Sequence, residues 1–228
     1  MRYKGSSWNK WDLHVHTIYT RLNSHYSCGM KEIANKIKKE EISVVGVTNY
    51  FIIEEKEITE LQEELGETVK IFPNFEFRIN EKNKDNEFVN IHILFNPDTT
   101  TIPKILETLA RVQLSNIPEQ NKYCTIECLK EYGCESVTVS LNDLLSQLEK
   151  DFTRLKDFLV IGVNKGYGGF CPGGKPRDKK FAQKVDERSH ILFSSKAEDR
   201  DFFLNKVPGR KELGLKKKPL FMASDAHK

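Results

Sequence analysis

Paired ligand-type side chains stand two residues apart at both ends of this 228-residue chain. Trp11-Asp12-Leu13-His14-Val15-His16-Thr17 lies near the start and Ala223-Ser224-Asp225-Ala226-His227 at the finish. In extended chain alternate side chains share a face, so His14 and His16 point one way, as do Asp225 and His227. Imidazole and carboxylate together suit zinc, manganese or iron, and magnesium less well. If the first and last strands lie side by side, as closing a barrel requires, the two pairs grip one cation. Glu76 ends the apolar run from Phe72, and His92 sits inside the run from Val89 to Phe95. A lone strand histidine is ordinarily a hydrogen-bonded core residue, and a strand-end glutamate is ordinarily solvated. Two ligand pairs elsewhere in the chain give Glu76 and His92 their weight as candidates. His25, in the loop after the first strand, is an outer candidate, and His190 reads as structural.

The elements that must position these residues alternate between strand and helix. Residues 10 to 16 read as a strand, and Met30, Ile33, Ala34 and Ile37 recur at helical spacing after Gly29. Ser43 to Thr48 is a β-branched buried strand, completing one βαβ unit. A charged helix over 55–65 ends at Gly66, and a strand runs from Val69 to Phe77. Asn83-Lys84-Asp85-Asn86 turns the chain into a strand over 87–95, with a hairpin as one way of pairing the two. Helices are expected over 102–114 and 125–132, and after Ser140 as N-cap. Phe158 to Val163 is a buried strand leading into a glycine-rich loop, and short elements around 191–193 and 197–204 precede a last strand near 219–223. Repeated βα units with ligand-type residues at several strand ends favour a parallel α/β barrel with its site at the C-terminal mouth. An open doubly wound sheet is the alternative, but a ring alone converges the first, last and intermediate strands on one point.

Composition agrees with one globular unit spanning residues 1–228, since 38% of the residues are hydrophobic and 10% aromatic. No apolar run approaches the roughly 20 residues that span a bilayer, and no export signal follows Met1, so a cytoplasmic protein without a membrane partner is expected. Five cysteines at irregular spacing fit reduced thiols, and Cys124, Cys128 and Cys134 lack a fourth ligand for zinc. The net charge of +3 decides nothing, but its distribution is uneven. Residues 54–67 carry seven acids against Lys56 alone. Lys165, Lys175, Arg177, Lys179, Lys180 and Lys184 crowd one stretch, and Lys206, Arg210, Lys211 and Lys216 to Lys218 another. Either basic run can track phosphates or be a solvated face.

Asp12-Leu13-His14-Val15-His16-Thr17, Val45-Gly46-Val47-Thr48-Asn49-Tyr50, Pro73-Asn74-Phe75-Glu76, Asn90-Ile91-His92 and Ser224-Asp225-Ala226-His227 stand in the order seen in the PHP (polymerase and histidinol phosphatase) superfamily, which the chain resembles over nearly its whole length. The opening Gly5 to Trp11 and the phrase Phe72 to Arg78 look more narrowly like PHP domains preceding an SMC-like or AAA-type ATPase. The resemblance implies a distorted (β/α)7 barrel, one to three divalent metals and phosphoester hydrolysis. Carried over, His14, His16, Glu76 and Asp225 hold the first metal, Glu76 bridges to a second that His92 also binds, and His227 with His25 serves a third. Family members have Thr-Asp-His where this chain has Thr48-Asn49-Tyr50, and a ligand where it has Asn164-Lys165.

The expected chemistry is attack on a phosphodiester of nucleic acid or a nucleotide, with Asp225, His227 and Lys165 catalytic and Lys165, Lys175 and Arg177 on the phosphate oxygens. A catalytically degenerate, metal-holding regulatory or nucleic-acid-binding module is the competing expectation. Hydrolysis of a carbon-nitrogen bond on a similar barrel is the third. An ATPase portion or partner chain covering the end near Lys228, and with it a place in phage defence, follow from the narrower resemblance alone.

Overall fold

The computed structural model describes residues 9–22, 26–171 and 176–222, without the side chains of 176–178. Strand β1 (Lys10–His16), helix α1 (Met30–Lys39) and strand β2 (Ile42–Tyr50) form the first βαβ unit, and β1 and β2 pair in parallel. Helix α1 turns Met30, Ile33, Ala34 and Ile37 inward, as the spacing predicts, and Glu32 accepts from the Gly29 backbone N–H at its start. Helix α2 (Glu55–Leu65) follows, then β3 (Lys70–Lys82), parallel to β2. Strand β4 (Phe88–Phe95) returns antiparallel, so the two form the hairpin. After β4 come α3 (Ile102–Leu109), β5 (Leu114–Ser115), α4 (Ile126–Tyr132), β6 (Thr138–Val139) and α5 (Leu141–Asp151), the last capped by Ser140. Strand β7 (Phe158–Lys165), α6 (Pro176–Arg188), β8 (Ile191–Ser194), α7 (Asp199–Phe203) and β9 (Leu220–Phe221) complete the order.

The main sheet runs β1-β2-β3-β4-β7-β8-β9, with β4 antiparallel to both neighbours and every other pair parallel. It curls toward a barrel. Trp11 on β1 and Phe221 on β9 stack with ring centroids 6.4 Å apart, bringing the two edges of the sheet together. Among the described residues no hydrogen-bonded ladder joins those edges, and the β3–β4 hairpin stands where a regular barrel would place a helix. Helices α1 and α2 cover one face through Val15, Ile33, Val45, Val47, Leu61 and Ile71. The concave face holds Leu13, Leu94, Ile161, Val163, Ile191 and Phe193.

Two expectations need correction. Residues 110–114 do not extend α3, because Val112 and Leu114 exchange backbone hydrogen bonds with Cys124 and Lys122 and bury their side chains. The basic stretch after the glycine-rich loop is not all loop: from Pro176 it is α6, whose Ala182 and Val185 are buried.

Strand β1 is irregular where it matters. Asp12 pairs with Val45 but Val15 with Val47, so β1 carries an extra residue in a bulge. Leu13 therefore faces the concave side while Val15 faces α1, although strict alternation would put both on one side. The Leu13 carbonyl instead accepts a hydrogen bond from Asn74 Nδ2 at 2.7 Å. Opposite it, Gly46 leaves no space: a Cβ there would land on the Leu13 backbone. Gly46→Ala must push β1 away, at a cost of about 1–3 kcal/mol for an overpacked core. Urea denaturation is expected to show that loss, and calorimetric titration a weaker affinity for manganese or zinc, because His14 moves with Leu13.

Candidate metal centre

The β1 bulge and the register of the β3–β4 hairpin bring three of the sequence candidates into contact. His14 Nε2 and His16 Nε2 face one another at 3.2 Å. Glu76 Oε2 lies 3.4 Å from the first and 3.6 Å from the second. All three side chains are buried. In water-free surroundings two imidazole nitrogens and a carboxylate oxygen at such distances repel unless a proton or a cation lies among them. The spacing matches a cation. A tetrahedral site with bonds of about 2.0–2.1 Å sets its donor atoms about 3.3–3.4 Å apart. Among the described residues this is the one group of three or more such side chains whose donor atoms all lie within 4.8 Å of one another.

Glu76 is held as the charged form. Burial alone would raise its carboxyl, but the imidazoles of His92, His14 and His16 outweigh burial and bring it to about 2. Its other oxygen, Oε1, accepts from Asn90 Nδ2 at 2.7 Å. His92 lies directly opposite Glu76 in the hairpin, with its Nε2 4.0 Å from Oε1. The His92 ring meets His14 edge-on, centroids 4.5 Å apart, and Phe193 stacks on the other histidine at 5.6 Å. Thus His92 joins the cluster through ring contacts, and the Glu76 oxygen nearest to it is already engaged by Asn90.

Lys165 ends β7 on the wall of the same cavity, which has a volume of about 110 Å³. Its ammonium meets Asp199 Oδ1 at 2.5 Å, and Asp199 Oδ2 accepts from Ser194 Oγ at 2.7 Å and Asn164 Nδ2 at 2.9 Å. The hydrogen bond to Asp199 raises the Lys165 pKa. Burial would raise the Asp199 carboxyl, yet Lys165 and Ser194 lower it, so the pair is ionised. A larger cavity of about 510 Å³ lies behind β1 against α1, but none of the three clustered donors lines it, so size does not locate the centre.

Of the remaining candidates, His25, Lys175, Asp225 and His227 lie outside the described residues, as does the side chain of Arg177. His190 Nδ1 accepts from the Val160 backbone N–H at 2.8 Å, a structural role away from the cluster. Cys124 and Cys134 are buried and their thiols pushed up by that burial, the second to about 11. They form no described metal cluster.

Sequence reasoning missed three residues. Asn90 and Asp199 act on site residues through side-chain contacts that no spacing rule reveals. Glu57 lies in the acidic run, yet it is buried in α2, where Thr17 Oγ1 donates to it at 2.7 Å and Asn49 Nδ2 at 3.0 Å. Asn49 thereby ties the end of β2 to α2, and Tyr50 beside it stacks on His16 at 5.3 Å.

No family model and no curated protein matches the chain. Its fold does match a solved structure, that of a "putative metal-dependent phosphoesterase" from Bifidobacterium adolescentis, with a TM-score of 0.52. The two folds agree over most of their lengths. The match covers 96% of this chain and 88% of the other at 11% identity. At that identity the likeness is one of fold, and the curled α/β sheet with its helices is what the two share. No helix among the described residues is long and apolar enough to cross a membrane.

Glu57 gives the site's surroundings a pH signature. Burial pushes its carboxyl up to about 7, against hydrogen bonds from Thr17 and Asn49 that lower it. Below the unfolded value of 4.5 both states carry the proton and nothing is lost. Between about 4.5 and 7 the unfolded chain ionises first, so stability falls as pH rises, by on the order of 3 kcal/mol in all. Glu57→Gln is expected to flatten the denaturation midpoint over that window and to be the more stable protein at pH 8; equal pH slopes in the two proteins would contradict this account.

Proposed function

We propose that the chain is a PHP-type metal-dependent phosphoesterase that hydrolyses a phosphodiester of a nucleotide or nucleic acid. The observation that carries this reading is the triangle of His14 Nε2, His16 Nε2 and Glu76 Oε2, whose sides of 3.2, 3.4 and 3.6 Å fit one divalent cation. The fold it shares with a protein named for such an activity supports it. Two imidazoles and a carboxylate favour zinc, manganese or iron over magnesium. In this reading Asp225 completes the first metal position, His92 with Glu76 offers a second, and His227 with His25 a third. Asp225 and His227 act in catalysis, and Lys175 and Arg177 extend the phosphate contacts.

A divalent cation held there supplies Lewis acidity toward a phosphoryl oxygen and lowers the pKa of a water that it coordinates. The chain's own residues do the rest. His14 and His16 present neutral Nε2 lone pairs, and Glu76 contributes the negative charge that Asn90 orients. Lys165, fixed by Asp199, faces the non-bridging oxygens with a positive charge that needs no reorganisation when the phosphate arrives. An ATPase portion or partner chain and a role in phage defence belong to the same reading through the narrower resemblance of residues 5–11 and 72–78, and the cytoplasm is the location proposed with it.

The test is turnover of bis(p-nitrophenyl) phosphate and of short single-stranded DNA and RNA by metal-stripped protein given zinc, manganese, iron or magnesium. Metal-stimulated cleavage is expected, falling more than about 100-fold in His14→Ala or His16→Ala and about 100-fold in Lys165→Met. Turnover that survives loss of both histidines would overturn the proposal. Binding of the same strands without cleavage would favour the silent binding module instead.

A further inference from the structure

Outward from the metal triad runs a column of flat groups. The His16 ring stacks on Tyr50, centroids 5.3 Å apart and planes 23° from parallel. The Arg78 guanidinium lies over Tyr50 at 5.7 Å and over the Tyr167 ring at 5.9 Å. Tyr50 and Arg78 are buried, whereas Tyr167 is 62% exposed. Tyr167 is also the only exposed aromatic among the described residues lining the cavity of His14, Glu76 and Lys165. An exposed aromatic ring at the rim of a polar cavity is unusual as packing, since it buries little.

The backbone keeps that ring in place. Tyr167 sits in the glycine-rich loop two residues after Lys165, and the loop is tied down on both sides. The Asn90 backbone N–H donates to the Gly168 carbonyl at 2.8 Å, Asn83 Nδ2 to that of Gly169 at 3.1 Å, and the Phe170 N–H to Val163 at 2.8 Å. Gly168 has φ +67°, and a Cβ there would come within 2.6 Å of Asn90 Cγ, so the close approach to β4 requires glycine. A fixed loop therefore presents one face of Tyr167 to Arg78 and leaves the ring open to solvent beside the cavity of His14, Glu76 and Lys165. Arg78 donates to the Glu135 carbonyl at 3.0 Å, which fixes the guanidinium under the ring.

We propose that the open face of Tyr167 is a stacking platform for a nucleobase attached to the phosphate held over the His14–His16–Glu76 triad. This inference rests on the phosphoesterase reading for the position of the phosphate, and it names the group next to that phosphate. Aromatic side chains bind bases through their faces with little dependence on base identity, so the platform selects bases as a class rather than one sequence. The sugar alone does not replace the base, because ribose offers no flat face to the ring.

Equilibrium binding tests it without turnover. The probes, in manganese buffer, are a phosphorothioate hexathymidylate and an abasic phosphorothioate hexamer of equal charge, with thymidine 5′-monophosphate and deoxyribose 5-phosphate as the shorter pair. The full chain is expected to bind at least one base-bearing probe about tenfold more tightly than its abasic counterpart. Tyr167→Ala should erase that difference and leave abasic affinity unchanged, and Tyr167→Trp should keep or enlarge it. A preference seen with the mononucleotide pair identifies a free nucleotide as occupant, and one confined to the hexamers identifies a strand. Equal affinity for base-bearing and abasic probes, no binding of either, or a preference that persists in Tyr167→Ala would overturn the proposal. Phosphodiester cleavage with no base preference would sink the platform and spare the phosphoesterase; base-dependent binding without metal-stimulated cleavage would do the reverse.

Discussion

The structure is organised around a repulsion. Two imidazole nitrogens and a carboxylate oxygen are driven within 3.6 Å of one another in a buried cluster, where each would otherwise prefer water. Burying an ionised carboxylate without compensation is expensive enough that the group would normally take up a proton. Here positive charge on the surrounding imidazoles holds Glu76 ionised, and a cation among the three donor atoms can take the place of those protons. The other features of the site make sense as ways of bearing that strain. Asn90 takes one lone pair of Glu76, and Phe193 and Tyr50 pack flat against His14 and His16 and limit their movement.

The scaffold bears the strain through backbone as well. The β1 bulge diverts Leu13 to the concave face, and the carbonyl it frees from the ladder is recovered by Asn74 and not left bare. Gly46 makes the approach possible by having no side chain. A bulge is the means by which a strand re-aims its side chains, and in β1 it spans Leu13 and His14. Local irregularity in the chain and the close pair of imidazoles are thus one feature seen at two scales.

Much of this was legible in the sequence, because it depends on short-range periodicity. The two-residue spacing of His14 and His16 put both on one face, and the polar turn at Asn83 to Asn86 folded β3 onto β4, setting Glu76 opposite His92. The α1 stripe and the Ser140 cap followed from helical rules. What escaped depends on contacts between residues far apart. Glu57 looked like one more exposed acid because its neighbours in sequence are exposed, and only Thr17 and Asn49, from two other strand ends, make its burial tolerable. Asp199 is separated from Lys165 by a whole helix and strand, so the anion that pairs with the lysine is remote from it in sequence. Helix α6 was hidden by its charge, since the basic residues that suggested a phosphate-binding loop dilute the apolar positions Ala182 and Val185.

That ion pair changes how the cavity's charge should be counted. Lys165 and Asp199 together are neutral, so at a distance they attract no anion, whereas at contact the ammonium is the nearer partner for an oxygen entering the cavity. Asp199 spends both its oxygens, on Lys165, Ser194 and Asn164, and so stands as a fixed counter-charge. Fixing a long side chain in this way removes the rotamer entropy that a free lysine would lose on binding. Among the described residues Glu76 is then the uncompensated anion at the triad once the imidazoles are neutral, and a divalent cation there would leave a net positive centre. With a neutral ion pair beside it, the net charge of the cavity therefore depends on what occupies the space among His14, His16 and Glu76, and not on Lys165.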